Sequence, residues 1–340
     1  MNDEHGNLFD ETEEIKRHLQ IDQTKELITN ELLDLLKRSN TLFSSKGPCG
    51  SIQIVPYPDG YFVAQEFNDN KDDLRRSIDD ALNKLGYASV VASDFYLSEK
   101  LICKIAALIQ GTPFGVYQLT TSQNRNVYLE LGIALGLGKS FVLVKDKSAN
   151  PVRIVQDIEY YEINNYLDVR YELGDLLEKY MTSIGKSQIN QIHQDESKNE
   201  VVIYHGDVES IDITVTVARE IKSMGFTPVI LGKFQEKLAR YLQSHANVEP
   251  RFVESRDQII RAIQTAKYGV FRIQKSASAD NFVAMGISIG LNKRFLPLKH
   301  LNEDVPSDLM YLSPLEYSGY TDLERRLKMQ LLDWLIEIEN

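Results

Sequence analysis

Short apolar runs alternate with amphipathic stretches along this chain, and the alternation predicts strands separated by helices. Tyr61–Ala64, Ala88–Ala92, Gly115–Leu119 and Phe141–Val144 are brief apolar runs of the kind found in strands covered on both faces. Between them, Asp72–Leu85, Lys100–Gln110 and Asn124–Leu137 read as helices. The first carries Leu74, Ile78, Ala81, Leu82 and Leu85 at helical spacing and is stopped by Gly86. The series then returns. Val201–Tyr204, Pro228–Leu231 and Gly269–Ile273 read as strands, and Asp212–Met224 and Ser255–Thr265 as helices. Strands alternating with helices over short connections predict an α/β chain with two tandem, doubly wound parallel sheets.

Polar stretches set the expected boundaries. Residues 1–50 form an acidic extension with one amphipathic helix, Thr24–Arg38, and 51–185 a first domain. Ser187–Asn199 has no period, so 186–199 is the linker and 200–340 the second domain.

The two halves repeat one another. Setting Gly115 against Gly269 aligns 31 positions without a gap, at an offset of 154, and ten pairs are identical. Residue frequencies alone would give about two. GIALGLGKSFVLVK stands opposite GISIGLNKRFLPLK. The second copy is longer between its Gly225 and Gly269, and the extra residues fall around Leu238–Pro250.

The helix Asn124–Leu137 is apolar almost all round and is therefore expected to be covered on more than one side. Gly132 and Gly136 each cost about 1 kcal/mol relative to Ala. Close approach to another backbone would offset that. Glu130 is the single charge between Val127 and Leu137, and the second copy has Ala284 at its place. The fold therefore does not need this carboxylate, which makes Glu130 the candidate for chemistry. Ligands of doubly wound sheets bind beyond the carboxyl ends of the strands. Gln65, Glu66, Phe67, Asp94, Gln118 and the helix start at Asn126 fall there, and Ser122 and Phe62 complete the candidate substrate-binding set. His205 has no metal or triad partner in the sequence and reads as a loop histidine.

Composition narrows the classes. The net charge is −11, without a run of Lys/Arg, which argues against nucleic acid and anionic membranes. No apolar run approaches a membrane helix. Cys49 and Cys103 lie far apart with no metal-type spacing, so neither a structural metal nor an oxidising compartment is expected, and the cytoplasm fits.

YFVAQEF, then Asp94 after a strand, GVYQLT and NVYLELGIALGLGKSFVLV together resemble the nucleoside 2-deoxyribosyltransferase-like and TIR-like superfamily. VVIYHGDVES and SMGFTPVIL are similar to bacterial TIR-like nucleotide-binding domains. The resemblance implies flavodoxin-like or TIR-like domains in tandem, the second degenerate. It implies that Glu130 attacks or stabilises C1′ of a ribose while an N-glycosidic bond breaks. The expected activity is then that of an N-glycosidic hydrolase, NAD⁺ serving as substrate rather than cofactor, or a deoxyribosyltransferase-like one, with a role in bacterial antiphage defence. Asp94 or Glu66 would protonate a neutral leaving base. The alternative is a non-catalytic nucleotide or cyclic-nucleotide sensor, or a scaffold subunit regulating a partner. A nucleotide ligand and a homo-oligomer or partner protein are the expected associations. The sequence departs from the family at Gln118, where an acid is usual, and at Gln65-Glu66, where a proline turn is usual.

Overall fold

The structure, a computed structural model, describes residues 49, 54, 56–66, 72–92, 101–122, 124–163, 169, 171–177, 198–206, 211–274, 277–305, 309 and 312–339. The expected helix Thr24–Arg38, together with Phe67, Asp94 and most of the linker, lies outside the described residues.

The first sheet is built from β1 (Gly60–Ala64), β2 (Ala88–Val90), β3 (Phe114–Leu119), β4 (Ser140–Asp146) and β5 (Tyr160–Ile163). The helices α1 (Asp72–Asn83), α2 (Leu101–Gly111) and α3 (Arg125–Gly136) connect its strands. Its order is β2-β1-β3-β4-β5, and every pairing is parallel. The second sheet follows the same plan. It contains β6 (Lys198–Tyr204), α4 (Ile211–Ser223), β7 (Thr227–Leu231), α5 (Glu236–Ala246), β8 (Arg251–Val253) and α6 (Arg256–Thr265). β9 (Ala266–Arg272), α7 (Ala279–Gly290), β10 (Phe295–His300), β11 (Leu315–Tyr317) and α8 (Tyr320–Glu339) complete it. Its order is β11-β10-β9-β6-β7-β8, again all parallel. The residues that lengthen the second copy form α5 and β8, which add an edge strand beside β7. The second domain is thus an enlarged copy of the first. Asn199, expected in the linker, already belongs to β6.

Alternation along the strands sorts the core into three parts. Phe62, Tyr117 and Leu143 of the first sheet and Val202, Val229 and Phe271 of the second face a shared interior filled by α2, α3, α6 and α7. Tyr61, Val63, Val116 and Val144 face outward beneath α1 and the helical stretch 171–177. Val201, Ile203, Val270 and Leu298 face outward beneath α4, α5 and α8. Both faces of each sheet are covered, which is why the strands read as nearly continuous apolar runs.

The centre of the molecule is the contact between α3 and α7, the equivalent helices of the two copies. A Cβ on Gly132 would stand 2.2 Å from the carbonyl oxygen of Val283, and one on Gly286 would stand 2.1 Å from that of Leu129. Gly136 and Gly290 are equally close to the carbonyls of Ile287 and Ile133, both at 2.4 Å. Here the glycines recover their helix-propensity cost, because only hydrogen fits between the backbones. The expected close approach is therefore an approach of the two copies to each other, with a pseudo-twofold exchange of contacts.

Other equivalent positions repeat their bonds. Lys139 donates to the Thr112 carbonyl at 2.9 Å, and Lys293 to the Ala266 carbonyl at 3.1 Å. Burial holds both lysines below the usual amine range. Lys145 pairs with Glu162 at 3.2 Å, and Lys299 with Glu316 at 2.8 Å. One linkage is not repeated so simply. Asp280, in the first turn of α7, accepts the backbone N–H groups of Ile154 at 2.8 Å and Arg153 at 3.3 Å. It ties the loop after β4 to the second domain. Burial raises its carboxyl above the usual range, opposed by those N–H groups and the Arg153 charge.

Cys49 and Cys103 are joined in a disulfide, with Cα atoms 5.3 Å apart. The two cysteines, far apart in the sequence, meet because α2 buries Cys103 in the cluster against which Cys49 packs. Among the described residues, no helix is long and apolar enough to cross a membrane.

Candidate functional site

In the first sheet the connections after β1 and β3 leave toward opposite faces, because α1 covers the outer face and α3 the inner one. A crevice opens at the carboxyl edge where such connections diverge. Gln65 and Glu66 follow β1 directly, and Thr120–Ser122 follow β3. A hydrogen-bonded chain joins the two sides. Ser122 donates its hydroxyl proton to Glu66 Oε2 at 2.9 Å. Thr120 and Ser122 hydroxyls are 2.7 Å apart, so with the Ser122 proton committed, Thr120 is the donor.

The sheet divides the expected site residues. Gln65 and Gln118 continue the outward-facing alternation of Val63 and Val116, whose strands are in register. They stand side by side at the outer edge. Gln118 is only 2% exposed and donates through Nε2 to Asp146 Oδ1 at 3.0 Å. The Oε1 atoms of both Gln65 and Gln118 are buried without a hydrogen-bond partner among the described residues. A buried acceptor left in that condition costs about 1–3 kcal/mol.

The remaining residues lie on the other side or at the rim. Phe62 is buried in the shared interior, against Tyr117 at a centroid distance of 6.2 Å. Asn126 sits in the first turn of α3, and its N–H donates to Asn124 Oδ1 at 3.0 Å, so Asn124 is the N-cap. Ser278 caps α7 at the equivalent position. Glu130 lies one turn beyond Asn126 on the same helix face and is half-buried. The Tyr117 ring leans back over Gly115, toward the start of β3. Its hydroxyl is pushed well above the ordinary phenol range, by burial first and then by the Glu130 carboxylate. Glu130 therefore acts on the interior side of β3, whereas Gln118 faces outward from the same strand. The structure brings Gln65 with Gln118, and Glu66 with Ser122, but does not gather all of them around Glu130.

The second sheet shows what the sequence reading missed. The registers Phe62↔Gly115 and Val202↔Gly269 make Gln65 and His205 equivalent, and the offset of the repeat makes Gln118 equivalent to Arg272. Likewise Asp146 corresponds to His300, and Ile163 to Tyr317. On four neighbouring strands the outer edge reads Gln65, Gln118, Asp146, Ile163 in one domain and His205, Arg272, His300, Tyr317 in the other. The repeat alignment carries Gln118 onto Arg272, which is the signal that could have found this row. His205 is buried, with Nδ1 2.9 Å from Thr214 Oγ1 and Nε2 3.3 Å from Gln235 Oε1. Both ring nitrogens are occupied, so it holds the loop rather than a ligand. No group of three or more His, Cys, Asp or Glu among the described residues could hold a metal ion.

Together the fold and its edges define a two-domain α/β protein with a Rossmann-like sheet in each half. No protein-family model matches the chain, and no curated protein does. Solved structures it matches include a putative UDP-N-acetylglucosamine 2-epimerase from Listeria monocytogenes, at 10% identity and TM-score 0.33, over 83% of this chain and 89% of that one. A UDP-GlcNAc 2-epimerase from Neisseria meningitidis gives 12% identity and TM-score 0.31, over 82% and 92% of the two chains. A glycosyltransferase from Rickettsia africae gives 9% and 0.30, over 84% and 89%. Likeness at these TM-scores carries nothing about this chain's activity.

The assignment to the deoxyribosyltransferase-like and TIR-like group is corrected. The structures named above, matched along most of this chain, are two epimerases and a glycosyltransferase, none of them of that group. The motif that carried the resemblance has a different cause: its glycines are the contact between α3 and α7. NAD⁺ glycohydrolase or other N-glycosidic activity, the nucleotide-sensor alternative and the antiphage role rested on that assignment and fall with it.

Proposed function

We propose that the first domain binds a small, uncharged molecule rich in hydroxyl or N–H donors at the carboxyl edge of its sheet, and acts on it as an enzyme through Glu66. The observation that carries the reading is the pair of buried, unmatched amide oxygens on Gln65 and Gln118. Both are acceptors, on adjacent strands at one level, so the complementary ligand is a donor. Gln118 has its orientation set by Asp146, which leaves the Oε1 atom as the end of the amide without a bond. Glu66 directly follows Gln65 and is linked to Ser122 and Thr120, a short hydroxyl relay to a carboxylate. Such a carboxylate can take a proton from a bound hydroxyl.

The test is a thermal-shift panel of neutral sugars, polyols and nucleosides on the full chain and on Gln118→Leu. A ligand at one hundred times its Kd should stabilise the wild type by about 2.7 kcal/mol. Gln118→Leu should lose that response while remaining folded. Products formed from any binding ligand would be followed by NMR in wild type and Glu66→Gln. The reading is overturned if no neutral ligand stabilises the wild type, or if Gln118→Leu responds equally.

A further inference from the structure

The outer edge of the second sheet differs from the first in one chemical respect: its side chains are donors. We propose that Arg272, His300 and Tyr317 form a phosphate-binding site, occupied by free phosphate or by the phosphate of a small metabolite. The proposal is independent of the ligand assigned to the first domain.

The three residues lie on adjacent strands and share one face. Arg272 is level with Leu298 of β10, and Leu298 with Leu315 of β11; His300 is level with Tyr317, two residues nearer the carboxyl edge. Leu298 and Leu315 belong to the outer core, which sets the face. Tyr317 is 1% exposed, and its hydroxyl has no hydrogen-bond partner among the described residues. The Arg272 Nε is likewise buried without one. The His300 ring meets the Tyr317 ring edge to face at 5.3 Å. Asn302 N–H donates to His300 Nδ1 at 3.3 Å, which leaves the ring proton on Nε2. Guanidinium, phenol and imidazole thus offer hydrogen-bond donors from three strands. An oxyanion with several acceptor oxygens satisfies that set, and a guanidinium suits phosphate geometry.

Three carboxylates stand nearby, and all are engaged: Asp322 accepts the Ser318 N–H and pairs with Arg325 and Arg326. Asp212, in the first turn of α4, accepts the Tyr320 hydroxyl, and Glu303 accepts Gln274 Nε2 at 3.2 Å. Burial raises the Tyr317 hydroxyl above the usual phenol range, with the Arg272 charge pulling it down and Glu303 and Tyr320 pushing it up. Tyr320 also lines an open depression of about 440 Å³ at the start of α8, together with Asp322 and Arg325. The repeat supplies the control. At the equivalent positions the first domain has Gln118, Asp146 and Ile163, with Gln118 bonded to Asp146. The sheet therefore needs neither the arginine nor the tyrosine.

The experiment is isothermal titration of the full chain at low salt with inorganic phosphate and, separately, with a sugar monophosphate. Wild type, Arg272→Gln, Tyr317→Phe and the exposed-lysine control Lys233→Gln would be compared. The expected result is saturable one-to-one binding by the wild type and by Lys233→Gln. Tyr317→Phe keeps the core shape and should weaken binding about tenfold; Arg272→Gln should weaken it more. A sugar monophosphate binding more tightly than phosphate identifies a phosphorylated metabolite, and equal binding identifies free phosphate. Absence of saturable binding overturns the site. So does a Tyr317→Phe protein that binds as the wild type does, or a Lys233→Gln protein impaired as much as Arg272→Gln.

Discussion

At the outer carboxyl edge of two sheets built to one plan, four neighbouring strands carry Gln65, Gln118, Asp146 and Ile163 in the first domain. The second domain has His205, Arg272, His300 and Tyr317 there. Beneath these rows the copies agree closely. Lys139 and Lys293 donate to equivalent carbonyls, and Lys145 and Lys299 pair with equivalent glutamates. Gly86 and Gly225 both take positive φ, at 85° and 82°. Gly138 and Asn292, opposite one another in the repeat, do so at 64° and 53°. Packing and turn chemistry have been kept while the edge has been rewritten. Positions free to differ between copies are those the fold does not need, and there the polar side chains differ.

The comparison can be broken at several places. The largest effect should be confined to one copy. Cys103→Ser, or reduction, opens a loop closed across 54 residues and should cost roughly 4 kcal/mol by chain entropy. The midpoint of denaturant unfolding with and without reductant reads this. A loss below about 1 kcal/mol would mean that the staple constrains little of the unfolded chain. The next effect should be shared. Gly132→Val and Gly286→Val each drive a side chain into the opposing backbone and should cost about 3 kcal/mol or more apiece. Markedly unequal calorimetric losses would contradict the pseudo-twofold contact. Smaller and again paired, Lys145→Met and Lys299→Met should each cost about 1–2 kcal/mol, because the glutamate each leaves behind is 40% or 41% exposed and partly screened by solvent. Smallest, Gly86→Ala and Gly225→Ala should each cost about 1 kcal/mol, since both glycines are left-handed but have open space around them. A difference in melting temperature between members of either pair would show that the copies have diverged below the edge as well.

The fold was legible wherever the apolar pattern was long enough to show a period. The boundaries of α3 fall within one residue of the stretch read from Asn124 to Leu137, because the cap, the glycine stop and the apolar face all agree there. The edge strands β5, β8 and β11 are three or four residues long and gave no period to read. Close approach at Gly132 and Gly136 was legible as a cost needing an explanation, although its partner, the other copy, was not. The site was legible in part. The rule that ligands lie beyond strand ends selected Gln65, Glu66, Gln118 and Ser122. It could not show that β3 sends Gln118 outward and leaves Glu130 and Phe62 on the interior side. Nor could it show Arg272, His300 and Tyr317 as one row, since strand register across residues far apart in the chain brings them together. The internal repeat drew attention to Glu130 by its replacement with Ala284, and the same reasoning at Gln118 and Ile163 leads to Arg272 and Tyr317.

The central claim is that the two edges bind different classes of ligand on a common scaffold. It is tested most directly by a crossed titration: the neutral ligand selected by the first domain and inorganic phosphate, each against Gln118→Leu and Arg272→Gln. The predicted result is that Gln118→Leu loses the neutral ligand and keeps phosphate, while Arg272→Gln loses phosphate and keeps the neutral ligand. Folded variants that each lose both ligands, or that each keep both, would contradict it.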